Sequence, residues 1–296
     1  MIQLARPGHW IKNAVVLLPV VFGLRMYDVG AWLRALAAAV VFCLASSFAY
    51  ILNDIKDRQS DLAHPLKKNR PLASGIISIK AAVIEAVVLL LLALVVAQGL
   101  SLVLLLMILA YVFLQVCYTA FLKAKPLADV ICIALGFVLR AAAGAVAIRV
   151  AISPWLFICM FTICLFMGFC KRYSEIATIG DRAHDHRPVL IAYTPELLTH
   201  LITLSAGIAV MAFLVYGLHE RTIEQFGTNY FIYTLPVVVY AVFRFAMLSM
   251  KGSYHDPTDL IMHDRIFQIT ILIWMAAAFA VIRYGKIIDG WIQSFY

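Results

Sequence analysis

Long apolar runs alternate with short polar connections along the whole chain. The runs fall at 11-27, 31-52, 79-98, 100-121, 127-149, 153-172, 197-218, 229-249 and 265-284. An α-helix needs roughly 20 apolar residues to cross a hydrocarbon core of about 30 Å, and a backbone in lipid must satisfy its own hydrogen bonds. The pattern therefore predicts an all-α, polytopic membrane protein: nine transmembrane helices in a single membrane domain over 1-296, with the termini on opposite sides. Two connections, 53-78 and 171-196, are long and rich in polar residues, and structureless links of that length usually carry function. They fall four helices apart on one side, a spacing that fits two four-helix halves followed by a ninth helix around a polar mouth.

Composition agrees: 64 % of the 296 residues are hydrophobic and 14 % charged, against about 45–50 % and 25 % in soluble domains. Lysine and arginine in the connections set the orientation. With the N-terminus inside, fifteen lie on the cytoplasmic side and six on the other, so both long connections are expected to face the cytoplasm across the cytoplasmic (inner) membrane. The net charge of +8 gathers on that face, where it would attract anionic lipid and phosphorylated substrates. No soluble basic domain is available to bind nucleic acid. Cys43, Cys117, Cys132, Cys159, Cys164 and Cys170 fall inside spans without metal-ligand spacing and read as packing residues. His184 and His186 read as solvated loop residues, and no cleavable signal peptide is expected.

The chemistry concentrates where the second span ends. Asn53, Asp54, Asp57 and Asp61 form an Asn-Asp-x-x-Asp-x-x-x-Asp run, with Lys67, Lys68 and Arg70 close behind. On a helix, Asn53, Asp57 and Asp61 share one row and Asp54 lies beside it. Stacked carboxylates repel, so a cation is expected between them. Oxygen-only ligands favour Mg²⁺, which typically bridges one or two carboxylates to substrate phosphates.

Other polar groups sit where charge is costly. Arg140 lies well inside the fifth span, where an arginine costs about 2.5–3.5 kcal/mol on insertion scales. It is expected either to pair with a buried acid or to face a polar cavity and hold a phosphate. Lys12 and Asn13, at the start of the first span, are read either as an interfacial anchor or as a grip on a lipid headgroup. The second connection opens Lys171-Arg172-Tyr173-Ser174-Glu175 and continues to Arg187. Asp264 and Arg265 open the last span, Asp264 at the depth of the other polar loops, and both are expected to join the substrate site.

Together these residues resemble the UbiA superfamily of intramembrane transferases. The carrying motifs are Asn53-Asp54-x-x-Asp57-x-x-x-Asp61, Arg6-Pro7-x-x-Trp10-x-Lys12-Asn13, His64-Pro65-x-Lys67-x-x-Arg70-Pro71, Gly168-x-x-Lys171-Arg172-x-x-Glu175, Arg187-Pro188-Val189-Leu190 and Asp264-Arg265. In combination they are similar to its decaprenyl-phosphate phosphoribosyltransferase branch. The resemblance implies Mg²⁺-dependent transfer of 5-phosphoribose from phosphoribosyl diphosphate (PRPP) to a polyprenyl phosphate, decaprenyl or similar, on the way to an arabinose donor for cell-envelope polysaccharide such as arabinogalactan. It implies metal contacts for Asn53, Asp54, Asp57 and Asp61, and donor-phosphate contacts for Lys67, Arg70, Lys171, Arg172 and Arg187. Tyr173 and Glu175 would lie against the ribose, and Lys12, Asn13 and Arg140 would orient the lipid phosphate.

Prenylating members carry a second aspartate-rich motif in the corresponding loop. Here Lys171, Arg172 and Glu175 open that stretch, which favours a donor with an additional phosphate. Asp181 and Asp185 keep open a prenyltransferase acting on an aromatic acceptor. A transporter for lipid-linked phosphates is a further alternative.

Overall fold

The structure is a computed structural model that describes residues 3–63, 67–179, 188–254 and 257–293. Arg187, Asp181, Asp185, His184, His186, His64 and Pro65 lie outside the described residues. Regular structure among those described is helical throughout. A 3-10 helix, Pro7–Leu17, runs into α1 (Leu18–Phe22), followed by α2 (Val29–Ala63), α3 (Ile79–Leu100), α4 (Leu102–Ala120), α5 (Ala128–Ala147) and α6 (Pro154–Ile179). Beyond these come α7 (Pro195–Leu218), α8 (Glu220–Phe226), α9 (Leu235–Met250), α10 (Pro257–His263) and α11 (Arg265–Gln293).

Eight helical stretches among the described residues are long and apolar enough to cross a membrane, so the count of nine is approximate. The first expected span makes the difference. It is built from eleven residues of 3-10 helix and five of α-helix, although 3-10 runs seldom exceed three or four residues. Pro19 lacks an amide hydrogen, and Val15, Val16, Val20 and Val21 are stiff at χ1, so α-helical propagation is weak here. The other boundaries follow local chemistry. Ser78 caps α3 by accepting from Ala81 N. Ser101 ends α3 in extended conformation and caps α4 by accepting from Leu104 N. Thr194 caps α7 in the same way, with Pro195 in its first turn.

The helices cluster into two compact units, Met1–Ile152 and Ser153–Tyr296. The boundary falls after the fifth apolar run instead of the fourth. In the first unit, α2 packs along α3 and also against the N-terminal 3-10 helix, α4 and α5. Its core combines small and large residues: Ala38, Ala45, Ala93, Ala97 and Ala143 among Val16, Phe42, Ile108 and Tyr111. Small side chains let helix backbones approach closely. The tightest approach is at Gly144, where a Cβ would lie 2.0 Å from the Val16 carbonyl oxygen. The length of α2, 35 residues, corresponds to about 52 Å. That is well beyond one hydrocarbon core, and its C-terminal part carries the acidic row.

In the second unit, α6 lies along α7, and α9 packs on α6, α7 and α11. Rings fill it. Phe213, Tyr216, Phe226 and Phe231 form one cluster, and Phe245 stands between Phe166 and Phe267.

Candidate active site

The acidic row of α2 is helical as expected, yet it divides into two pairs of oxygens, each closed by a cation. Asn53 donates from Nδ2 to Asp57 Oδ2 at 2.9 Å, one turn on. Lys123, from the connection between α4 and α5, bridges the pair, donating to Asn53 Oδ1 at 3.1 Å and to Asp57 Oδ1. The second pair is Asp54 and Asp61. Arg70 Nη1 lies 3.2 Å from Asp54 Oδ1 and 2.6 Å from Asp61 Oδ2. Arg6 adds a contact of 2.5 Å to the same Asp54 oxygen. Three carboxylates thus face three cations.

Tertiary ties hold this arrangement. Arg58 Nε donates to Leu72 O at 3.2 Å, fastening the connection that carries Arg70 to α2. Lys56 Nζ donates to Ala120 O at 2.6 Å, fixing the end of α4 that precedes Lys123. Arg6 adopts a left-handed φ of 49°, a conformation that costs a non-glycine residue about 1–3 kcal/mol and persists only where surrounding contacts enforce it. Its enforcers are the Asp54 pair, the Tyr50 ring 5.4 Å away, and Ser47, which donates to the neighbouring Ala5 carbonyl at 2.8 Å.

No group of three or more His, Cys, Asp or Glu side chains among the described residues converges as a metal site. The four expected ligands therefore form no ready cage. Their chemistry nevertheless fits a hard divalent ion shared with substrate. Asn53 Oδ1 and Asp57 Oδ1 converge on one cationic nitrogen, and Asp54 Oδ1 and Asp61 Oδ2 on another. Two protein oxygens completed by phosphates and water is the usual surrounding of Mg²⁺.

Deeper along α2, the same helix face continues through Tyr50, Ser47, Ser46 and Cys43. Asn13 is 2 % exposed and donates to Ser46 Oγ at 3.2 Å and Cys43 Sγ at 3.3 Å. Its Oδ1 accepts from Arg140 Nε at 2.7 Å. Arg140 also donates from Nη2 to Tyr111 Oη at 2.6 Å and stacks on the Tyr111 and Phe137 rings. Asn13, expected to touch lipid, instead orients Arg140. Lys12 and Lys67 lie on the N-terminal and 67–69 3-10 helices of this unit.

In the second unit, Lys171, Arg172, Tyr173 and Glu175 continue α6 as one helical turn. Arg172 is buried and pairs with Glu175 at 2.5 Å. The guanidinium and carboxylate assigned separately to phosphate and ribose thus contact each other. Ser174 Oγ donates to Ser249 O at 2.8 Å, tying this turn to the end of α9. Asp264 is buried. Its oxygens accept from Arg244 Nε and Nη2 at 2.7 and 2.8 Å, and Oδ1 also accepts from Phe267 N at 2.6 Å. It therefore caps α11 and neutralises a cation of α9, where the sequence pointed to substrate. The Arg244 hydrogen bonds hold its carboxyl below the ordinary carboxylate range. Arg265 is exposed beside it.

Lys123, Tyr111 and Arg244 escaped the sequence reading, and Arg6 entered it only within a motif, without a role. For Arg244 a signal existed, since it is an arginine inside an apolar run like Arg140. The other three join the site through contacts 29 to 70 residues apart in sequence.

The chain is a multi-pass helical membrane protein with a polar, cation-bridged site, and comparisons with known proteins define it as a membrane-embedded transferase. Residues 15–263 match the model of the UbiA prenyltransferase family, and the chain belongs to that family. The decaprenyl-phosphate phosphoribosyltransferase of Mycobacterium tuberculosis is 32 % identical over 289 residues, covering 96 % of this chain and 95 % of that one. The protein of the same name from Corynebacterium glutamicum is 31 % identical over 283 residues, covering 93 % and 84 %. Among solved structures, a UbiA homolog from Archaeoglobus fulgidus bound to DMAPP and Mg²⁺ aligns with a TM-score of 0.71 at 20 % identity, covering 94 % of this chain and 97 % of that one.

Proposed function

We propose that the chain transfers 5-phosphoribose from PRPP to a polyprenyl phosphate, releasing diphosphate and forming polyprenyl-phosphoryl-5-phosphoribose, an arabinose-donor precursor for cell-envelope polysaccharide. The reaction is assigned to the cytoplasmic face of the cytoplasmic membrane. The observation that carries this reading is the convergence of each oxygen pair of the acidic row on a cationic nitrogen, Lys123 Nζ or Arg70 Nη1. Such a site is suited to a metal-bound diphosphate rather than to a neutral ligand. The names of the curated relatives, which align over nearly their whole lengths, support the phosphoribosyl donor.

Asn53 and Asp57, with Asp54 and Asp61 as the second pair, would hold Mg²⁺, which when bound offsets the charge that gathers on a departing diphosphate. Lys123 and Arg70, which close the two pairs in this structure, would turn to the diphosphate oxygens with charge-assisted hydrogen bonds when the metal takes their place. The C1–O bond to diphosphate breaks, and its electron pair leaves with the diphosphate. An oxygen of the acceptor phosphate forms the new bond to C1. That acceptor is already anionic at neutral pH, so the residues need only position it, and no general base is required.

The test is transfer by the purified full chain in detergent with Mg²⁺. One reaction holds ribose-labelled PRPP and polyprenyl phosphate; a second holds labelled prenyl diphosphate and an aromatic acid. Label is expected in the lipid fraction of the first. Product in the second alone would replace this reading with prenyl transfer.

A further inference from the structure

Arg140 is a buried cation whose polar partners are all neutral. Among the described residues it makes no ion pair; its contacts are Asn13, Tyr111 and two aromatic rings. Nε donates to Asn13 and Nη2 to Tyr111, which leaves Nη1 with no protein acceptor among the described residues. The Tyr111 oxygen accepts from Arg140, so its own hydrogen is available to donate. Gln115, one turn beyond Tyr111 on α4, makes no hydrogen bond among the described residues and is only half buried.

These donors are held together by a glycine. A Cβ on Gly136 would lie 3.2 Å from Gln115 Nε2, 3.5 Å from Arg140 Nη1 and 3.7 Å from the Tyr111 ring. The absent side chain lets both nitrogens come up to the same patch of α5. Among the described residues no carboxylate pairs with the charge gathered there. A buried guanidinium without a counter-ion is costly unless an anion arrives to complete it.

The position also bears on the ligand. Along α2, Ser46, which Asn13 contacts, lies seven residues before Asn53, or about 10 Å. The cluster is thus set deeper in the apolar run than the acidic row, and the uncharged polar face of α2 runs between them.

We infer that Arg140, Tyr111 and Gln115 form an anion subsite for a phosphate monoester, with Asn13 and Gly136 positioning its donors. The inference rests on the proposed reaction in that two such groups take part in it: the headgroup of the lipid acceptor and the 5-phosphate of the donor. Arginine matches a terminal phosphate through two parallel N–H bonds, and a tyrosine hydroxyl and an amide extend that fork.

The experiment uses the full chain in nanodiscs and the variants R140Q, Y111F and Q115L. Equilibrium binding of polyprenyl phosphate is compared with that of the neutral polyprenol of equal length, and PRPP is titrated with Mg²⁺ separately. KM and kcat are measured for both substrates. R140Q should weaken one phosphate ligand at least tenfold, and Y111F and Q115L should weaken the same ligand severalfold, with polyprenol binding unchanged. A loss confined to polyprenyl phosphate assigns the subsite to the acceptor, and one confined to PRPP assigns it to the donor 5-phosphate. If all three variants melt as the parent does and bind both phosphate ligands as tightly, the cluster is structural and the inference fails. Binding is read without turnover, so absence of phosphoribosyl transfer would overturn the proposed reaction while leaving the subsite to be judged by the binding arms.

Discussion

Replacing Arg70 with glutamine removes the cation that joins Asp54 and Asp61. Both carboxylates are almost fully buried, at 4 % and 5 % side-chain exposure, whereas Arg70 is 27 % exposed. Asp54 keeps Arg6, but Asp61 loses its one cation among the described residues. Breaking a buried ion pair from one side costs about 3–5 kcal/mol. The partial exposure of Arg70 lowers this to about 2–3 kcal/mol, because water screens part of the interaction. At roughly 2–4 °C per kcal/mol for larger domains, R70Q should melt about 5–10 °C below the parent in metal-free buffer. Mg²⁺ binding in the vacated position should restore most of that loss, since a ligand at a hundredfold its dissociation constant stabilises by about 2.7 kcal/mol. The assay is thermal unfolding of the purified chain with EDTA and with Mg²⁺, and exposed Lys68 changed to glutamine serves as control. An R70Q protein that melts with the parent, or whose loss Mg²⁺ leaves untouched, would refute the idea that these oxygens form a cation site.

Other expectations are narrower. Asp57→Asn should abolish turnover by two orders of magnitude or more while the protein stays folded, measured as labelled product per folded enzyme. Lys123→Ala should raise the KM for PRPP about tenfold, the effect of losing one charge-assisted hydrogen bond, with the acceptor KM little changed. Gly144→Ala should lower the melting temperature, because its Cβ would fall 2.0 Å from a backbone oxygen that cannot swing away, an overpacking cost of about 1–3 kcal/mol. Asp264, whose carboxyl Arg244 holds below the ordinary range, contributes stability that is fully present at neutral pH. That contribution fades as pH falls below the ordinary carboxylate pKa of about 4 towards the lower folded value. Thermal unfolding from pH 7 to 3 should therefore show the gap between the parent and Asp264→Asn closing only at the acid end.

The apolar runs made most helices legible, because length and hydropathy decide what can cross a bilayer. They gave no warning of the 3-10 helix at Pro7–Leu17, where hydropathy is high but Pro19 and the valines disfavour α-helix. The acidic row was legible because i, i+4 spacing is local. Its division into two cation-bridged pairs was not, because Lys123, which bridges Asn53 and Asp57, reaches it from a remote segment. Arg140 was identified by the cost of its depth, and Tyr111 could be found only once α4 and α5 were packed together. Arg172 and Glu175 looked like separate ligands, yet at i, i+3 on a continuing helix they meet. Asp264 stood out for its position at the membrane boundary, and the same position makes it a helix cap.

The central claim is that the α2 carboxylates hold a metal-bound diphosphate belonging to PRPP. Equilibrium binding of labelled PRPP to the purified chain and to Asp57→Asn, with and without Mg²⁺, tests it most directly. The account predicts Mg²⁺-dependent binding to the parent, its loss in the variant, and tighter competition by unlabelled PRPP than by a prenyl diphosphate, which shares only the diphosphate. Binding that ignores both Mg²⁺ and Asp57 would contradict it.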